Sequence, residues 1–201
     1  MAVYYENSKI KDAGRFGVYK GSQPISKIYK GSQLVYTVYD EGYSFLETST
    51  AGTYTINLIT EAKLNIILVG AGGGYATSHG GYWTQNANGG SGGLITGTIT
   101  LPAGSYKVTV GSGGSGSAVE GGTAYGRKGG DTSFAGQTAG GGGGGTADYL
   151  NGSWAGAGGT CIVTETTLIG SNGSAGSTTP RYENYGGGNS GQGYVKIVAT
   201  L

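Results

Sequence analysis

The sequence predicts an all-β protein: an antiparallel β-sandwich or jelly-roll-like core with packed polyglycine II helices, preceded by a small N-terminal β-meander. Three observations carry this expectation. No window sustains helical periodicity with caps, whereas several segments alternate with period two. Glycine supplies 46 of 201 residues, with six in residues 1–69 and forty in residues 70–201. Charged residues are only 11% while apolar residues reach 36%, a balance that calls for burial rather than a solvated tail.

The elements follow in order. Val18-Tyr-Lys-Gly-Ser-Gln23 recurs as Ile28-Tyr-Lys-Gly-Ser-Gln33, and each Lys-Gly-Ser reads as a turn beside a Tyr-bearing, β-branched strand. Residues 34–39 alternate as a further strand. Residues 1–41 thus read as a β-meander too small for a core of its own, an anchoring segment with Tyr19, Lys20, Tyr29 and Lys30 as assembly candidates. Residues 42–201 form the second unit. Within it residues 52–58 and 62–69 read as strands, the second ending in an apolar run that implies cover on both faces. Residues 93–100 and 105–110 form a strand pair joined by Leu101-Pro-Ala-Gly104, and residues 193–200 close the chain with period two.

Glycine tracts lie between these strands at residues 70–74, 80–93, 111–130, 140–145, 152–159 and 186–193. Plain coil of this length is improbable inside a compact domain. Collagen is excluded, because there are three Pro and no strict G-X-Y period. Backbone without Cβ atoms can instead form extended three-fold helices rising about 3.1 Å per residue, packed side by side and bonded through their amides.

Composition also excludes function classes. A net charge of +1 implies no phosphate-neutralising surface, so no nucleic-acid partner is expected. Residues 1–39 hold six basic and two acidic residues, consistent with docking on an acidic partner or with lysines protecting strand edges. The one cysteine, Cys161, rules out a disulfide framework, and no run reaches signal-peptide or membrane-spanning length. Ile66-Ile-Leu-Val-Gly70-Ala-Gly72 begins like a dinucleotide-binding turn, but Tyr75 holds the third glycine position and no helix follows. Residues 121–128 brush past a phosphate loop with Arg127 where Lys is required. The one histidine, His79, has no orienting group nearby in sequence. The expectation is a non-enzymatic protein with no metal or cofactor.

Large side chains within the glycine tracts are the contact candidates: Tyr75, His79, Tyr82 and Trp83; Tyr125, Arg127 and Lys128; Tyr149 and Trp154; and Tyr182 and Tyr185, with Arg181 beside them. Aromatic rings with polar tips on loops suit glycan stacking or protein hot spots. Equally, Trp83 and Trp154 could cap the ends of glycine helices.

The order of elements resembles a known family. Gly52-Thr-Tyr-Thr, then Ile-Ile-Leu-Val-Gly-Ala-Gly-Gly-Gly74, then residues 92–114 come in sequence; Gly129-Gly-Asp-Thr-Ser-Phe134, the six-glycine tract and Gly-Gln-Gly-Tyr-Val-Lys-Ile197 complete the pattern. This is similar to the glycine-rich domain of bacteriophage tail-fibre and other virion proteins and of related bacterial surface proteins. A glycine-rich domain also occurs in the anaplastic lymphoma kinase family, whose signal, disulfides and kinase have no counterpart here. The resemblance implies a virion structural protein, in a tail fibre, tail tip or head fibre. It would bind other virion proteins through its N-terminal segment, present loops to a host-surface glycan or protein, and assemble as a homo-oligomer, with a trimer as one form. A bacterial cell-surface or matrix protein is the alternative, and a carbohydrate-active enzyme a more remote one.

Overall fold

The computed structural model describes Tyr39, residues 41–81, 83–178 and 191–200 in full, and the backbone of six short strands within residues 3–37. Those six pair as three antiparallel hairpins: β1 (Val3–Tyr5) with β2 (Ser8–Ile10), β3 (Val18–Lys20) with β4 (Gln23–Ile25), and β5 (Lys27–Lys30) with β6 (Gln33–Thr37). The two copies of the repeat pair alike at their Tyr and Lys positions, with Lys20 opposite Gln23 and Lys30 opposite Gln33, and the second copy carries a register shift between Ile28 and Tyr29. Among the described residues these are three separate two-stranded sheets.

From residue 41 onward the chain shuttles between two ends of the molecule. β7 (Ser44–Thr48), β8 (Gly52–Leu58) and β9 (Ala62–Val69) belong to a basal sandwich. Residues 70–75 leave it and reach a distal hairpin of β10 (Ala76–Gly80) and β11 (Trp83–Ala87). Residues 88–93 then return to β12 (Leu94–Leu101) and β13 (Gly104–Val110) in the base. The second excursion runs out through residues 111–116 to β14 (Ser117–Glu120) and β15 (Thr123–Tyr125), and back through residues 126–131 to β16 (Thr132–Phe134) and β17 (Gln137–Ala139). The third runs through residues 140–145 to β18 (Thr146–Asp148) and β19 (Gly152–Trp154), and back through residues 155–160 to β20 (Cys161–Ile162) and β21 (Leu168–Ser171). Residues 172–177 run outward again to an isolated bridge between Thr178 and Ala87, and residues 191–193 lead into the last strand, β22 (Tyr194–Ala199).

The base is a sandwich of two five-stranded sheets, in the orders β21-β12-β9-β22-β7 and β20-β17-β16-β13-β8. Period-two patterning aims Leu64, Ile66, Leu68, Ile95, Val195 and Ile197 from one sheet at Ile56, Leu58, Val108, Val110 and Phe134 of the other. The apolar end of β9 was expected to be covered on both faces. In fact Leu64, Ile66 and Leu68 are fully buried, while Ile67 and Val69 on the outer face are half-buried.

The middle storey is the glycine lattice, made of tracts of six residues each. Its hydrogen bonds repeat every third residue. Gly70 and Gly73 donate to the carbonyls of Gly93 and Gly90 (2.9 Å each), while Ala71 and Gly74 donate to Gly130 and Arg127 (3.0 and 2.7 Å). Gly72 faces a third neighbour and donates to Gly191 (3.1 Å). Residues three apart sharing one neighbour is the signature of a three-fold extended helix. Tract 70–75 bonds to tracts 88–93, 111–116, 126–131 and 140–145 and to residues 191–193, which places it at the centre. Added Cβ atoms would fall on neighbouring backbone: 1.9 Å from the Gly143 oxygen at Gly73, and 1.9 Å from the Gly90 oxygen at Gly142. Six residues at about 3.1 Å give a slab roughly 19 Å thick.

Candidate functional site: the distal cap

The third storey caps the slab with two three-stranded sheets, β11-β10-β14 and β15-β18-β19. Pairing is antiparallel except between β10 and β14, which run parallel because both leave the slab in the same direction. Ala76, Ala87, Ala124 and Ala147 are wholly buried between the sheets. Such small residues fit because the slab fixes the sheets close together.

The cap interior is also polar. Thr77, Ser78, Thr84 and Asn86 are buried, and burial of such groups requires partners. The Tyr75 hydroxyl donates to Asn86 Oδ1, which also accepts from the Thr77 hydroxyl at 3.1 Å. Ser153 Oγ donates to Gln85 Oε1 at 3.0 Å and ties the two sheets together. Asp148 organises the β18–β19 turn. Its Oδ1 accepts from the backbone N–H groups of Leu150 and Asn151 (2.9 and 2.8 Å), and its Oδ2 from the Thr123 hydroxyl. The hydrogen bond from Thr123, followed by that from the Asn151 N–H, holds this carboxyl below the usual range.

The contact candidates separate into distinct environments. Trp83, Tyr125 and Trp154 are 51%, 64% and 53% exposed, and Leu150 at the β18–β19 turn is 82% exposed. These three aromatics were expected on loops; they stand on strands β11, β15 and β19. Tyr75 is half-buried and spent on Asn86. Tyr149 lies over Gly80, where an added Cβ would stand 2.5 Å from its ring. The His79 ring is half-buried with Nδ1 2.8 Å from Thr84 Oγ1. Arg127 and Lys128 belong to the slab rather than the cap. The Arg127 backbone is bonded on both sides, and Lys128 pairs with Asp131 at 3.0 Å. Tyr82, Tyr182 and Tyr185 lie outside the described residues, as do the side chains of Tyr19, Lys20, Tyr29 and Lys30.

The glycine tracts at residues 80–93, 111–130 and 152–159 are divided between slab and cap. Each is interrupted by cap strands, which turn back at Gly81 and at Gly121-Gly122, all with positive φ. Two residues that the sequence did not single out are central to the cap. Asn86 accepts from both Tyr75 and Thr77, and Asp148 ties its turn; an Asp three residues before Asn151-Gly152 is a legible turn signal for the second.

Among the described residues no three of His, Cys, Asp and Glu gather to hold a metal ion, and no helix is long and apolar enough to cross a membrane. A search of curated proteins finds no match to the chain. A family model described as a glycine-rich domain matches residues 48–199. That span takes in nearly the whole of the sandwich with the slab and the cap, and the chain belongs to this glycine-rich domain family.

Proposed function

We propose that the chain is a non-enzymatic structural component of a bacteriophage particle that holds an aromatic contact surface away from its attachment point. The supporting observation is the separation of two ends. Tyr39, where the N-terminal segment joins the body, accepts a hydrogen bond from the Ile59 N–H at 2.8 Å and packs against Phe45 with ring centroids 4.6 Å apart. Ile59 lies in the β8–β9 connection, on the side of the sandwich away from the slab. Trp83, Tyr125 and Trp154 stand beyond the slab at the other end. The anchoring segment and the exposed rings are thus held apart by a stiff spacer roughly 19 Å thick.

In this reading the hairpins carrying Tyr19, Lys20, Tyr29 and Lys30 dock on other virion proteins, and the cap faces a glycan or protein of the host surface. The chain acts as a homo-oligomer. Purified protein is to be incubated with intact host cells. Binding lost in a Trp83→Ala, Trp154→Ala double variant that melts like the parent supports the reading. Unchanged binding removes the cap from it. Fractionation of infected cells that finds the protein only outside particles rejects the virion role.

A further inference from the structure

Tracts 126–131, 140–145 and 155–160 form the outer layer of the slab, bonded on their inner side to tracts 70–75 and 88–93. Two strand rows bound this layer on its outward face. In the cap, Tyr125, Thr146 and Trp154 stand opposite one another across β15, β18 and β19. They project away from the alanine-lined side, because Ala124 and Ala147 occupy the alternate positions. In the base, Ser133, Thr138 and Ile162 are opposed in the same way across β16, β17 and β20. Between the rows lies a groove of about 230 Å³, lined by Lys128, Asp131, Gly141, Ala157, Thr160 and Ile162.

The floor of this groove is bare backbone. The carbonyls of Gly140, Gly142, Gly143 and Gly145 accept from Gly93, Gly129, Gly90 and Gly126; among the described residues no tract donates to those of Gly141, which is buried, and Gly144, which is half-buried and lies beside the groove rather than in its lining. These two lie one helical repeat apart, roughly 9 Å. The Gly141 N–H already donates to Asp131 Oδ1 at 2.8 Å, and Asp131 is neutralised by Lys128.

We infer that this face binds an extended, uncharged saccharide chain; the inference rests on reading the cap as the outward contact surface. Tyr125 and Trp154 are two strand spacings apart, about 9.6 Å, and offer two faces for the C–H side of sugar rings. The hydroxyls of Thr138 and Thr160, which line the groove, accept from sugar hydroxyls. The paired Lys128 and Asp131 leave no net charge to attract an ionic ligand. A second copy of the chain could also bury the exposed Tyr125, Trp154 and Ile162, and the test below separates it by its dimer outcome.

The test uses Trp83→Phe protein, in which Trp154 is the one remaining indole of the two. Its emission is titrated with oligomers of glucose, galactose and N-acetylglucosamine. A saturable change with at least one probe is expected, weakened about tenfold by Tyr125→Ala and abolished by Ala157→Tyr, which fills the groove from an exposed position. No response at millimolar concentration to any probe overturns the inference, as does binding unchanged in both variants. A dimer that Ala157→Tyr dissociates would assign the face to a second copy and also overturn it. Cell binding that no saccharide competes defeats the groove while leaving the cap reading intact. Saccharide binding without cell binding does the reverse.

Discussion

Replacing Gly73 by Ala tests whether bare backbone contact holds the slab together. The added Cβ would stand 1.9 Å from the Gly143 oxygen and 2.7 Å from that of Gly142, against 3.4 Å or more for an ordinary contact. Relief requires two tracts to part by more than an ångström. That movement strains a connected set of bonds: Gly73 to Gly90 (2.9 Å), Gly90 to Gly143 (2.8 Å) and Gly143 to Ala157 (2.7 Å). At about 1 kcal/mol each they contribute roughly 3 kcal/mol, and overpacking adds about 1–3 kcal/mol. The lower entropy of an unfolded chain with Ala offsets about 0.4–1 kcal/mol. The net expectation is about 3–5 kcal/mol, or a fall in Tm of roughly 10 °C for a chain of this size. The control is Gly191→Ala, where a Cβ meets nothing within 4 Å and φ is ordinary; it should stabilise by about 0.4–1 kcal/mol through the unfolded state alone. Thermal and urea unfolding followed by circular dichroism give both values. If Gly73→Ala lies within about 1 kcal/mol of the Gly191 control, the tracts are not packed backbone to backbone.

Other perturbations probe the base and the slab surface. Ala135 and Gly136 close the β16–β17 hairpin with φ of 47° and 81°, a pair of values suited to Asn-Gly. Ala135→Asn should therefore raise the urea midpoint by up to about 1 kcal/mol in stability, and a lowered midpoint would count against the turn assignment. Burial tends to raise the Asp131 carboxyl, but the hydrogen bond from Gly141 and the pairing with Lys128 outweigh it and hold the carboxyl below its ordinary value. Its contribution is complete above the unfolded value of about 3.9 and is lost as pH falls through the lower folded value. Asp131→Asn should flatten that acid limb of the stability profile, and a limb of unchanged steepness would show that other carboxylates carry it.

The sandwich was legible because its strands obey period two over six to eight residues. β9, β12, β13 and β22 are those segments, with Leu64, Ile66, Ile95 and Ile197 at the buried positions. The cap was not legible, for a physical reason. Its strands are three to five residues long and bury Thr77, Ser78, Thr84 and Asn86 in place of apolar side chains, so no alternation marks them. The lattice positions them, and they need little hydrophobic driving force of their own. A sequence signal did exist in the tracts beside them. Asn88 and Ser91, Ser112 and Ser115, and Lys128 and Asp131 are each three residues apart, and all of them are exposed. That spacing separates a six-residue glycine helix with one outward face from the strands on either side.

Depth in the lattice sets how much glycine a tract requires, and the edge tract at residues 172–177 allows the three-fold phase itself to be tested. Among the described residues this tract hydrogen-bonds through its backbone to tracts 88–93 and 155–160 alone. Its two glycines, Gly173 and Gly176, donate to Gly159 and Gly156, while Ser174 and Ser177 accept from Ser91 and Asn88. Of the other positions, Asn172 accepts from the Cys161 N–H through its side chain at 2.9 Å and Ala175 is exposed. One residue inserted between Ser174 and Ala175 would turn the second half by a third of a revolution. Ala175 would then occupy the place of Gly176, where a Cβ meets the Asn88 oxygen at 2.1 Å. Relieving that clash parts the tracts and strains the two inter-tract bonds made there, at a cost of about 2 kcal/mol. Inserting Ala-Gly-Ser at the same point restores the phase and only lengthens the connection that follows, at a few tenths of a kcal/mol. The longer insertion should therefore melt close to the parent and the shorter one several degrees below it. Equal melting of the two would mean that the tract is held by its ends and not by its three-fold register.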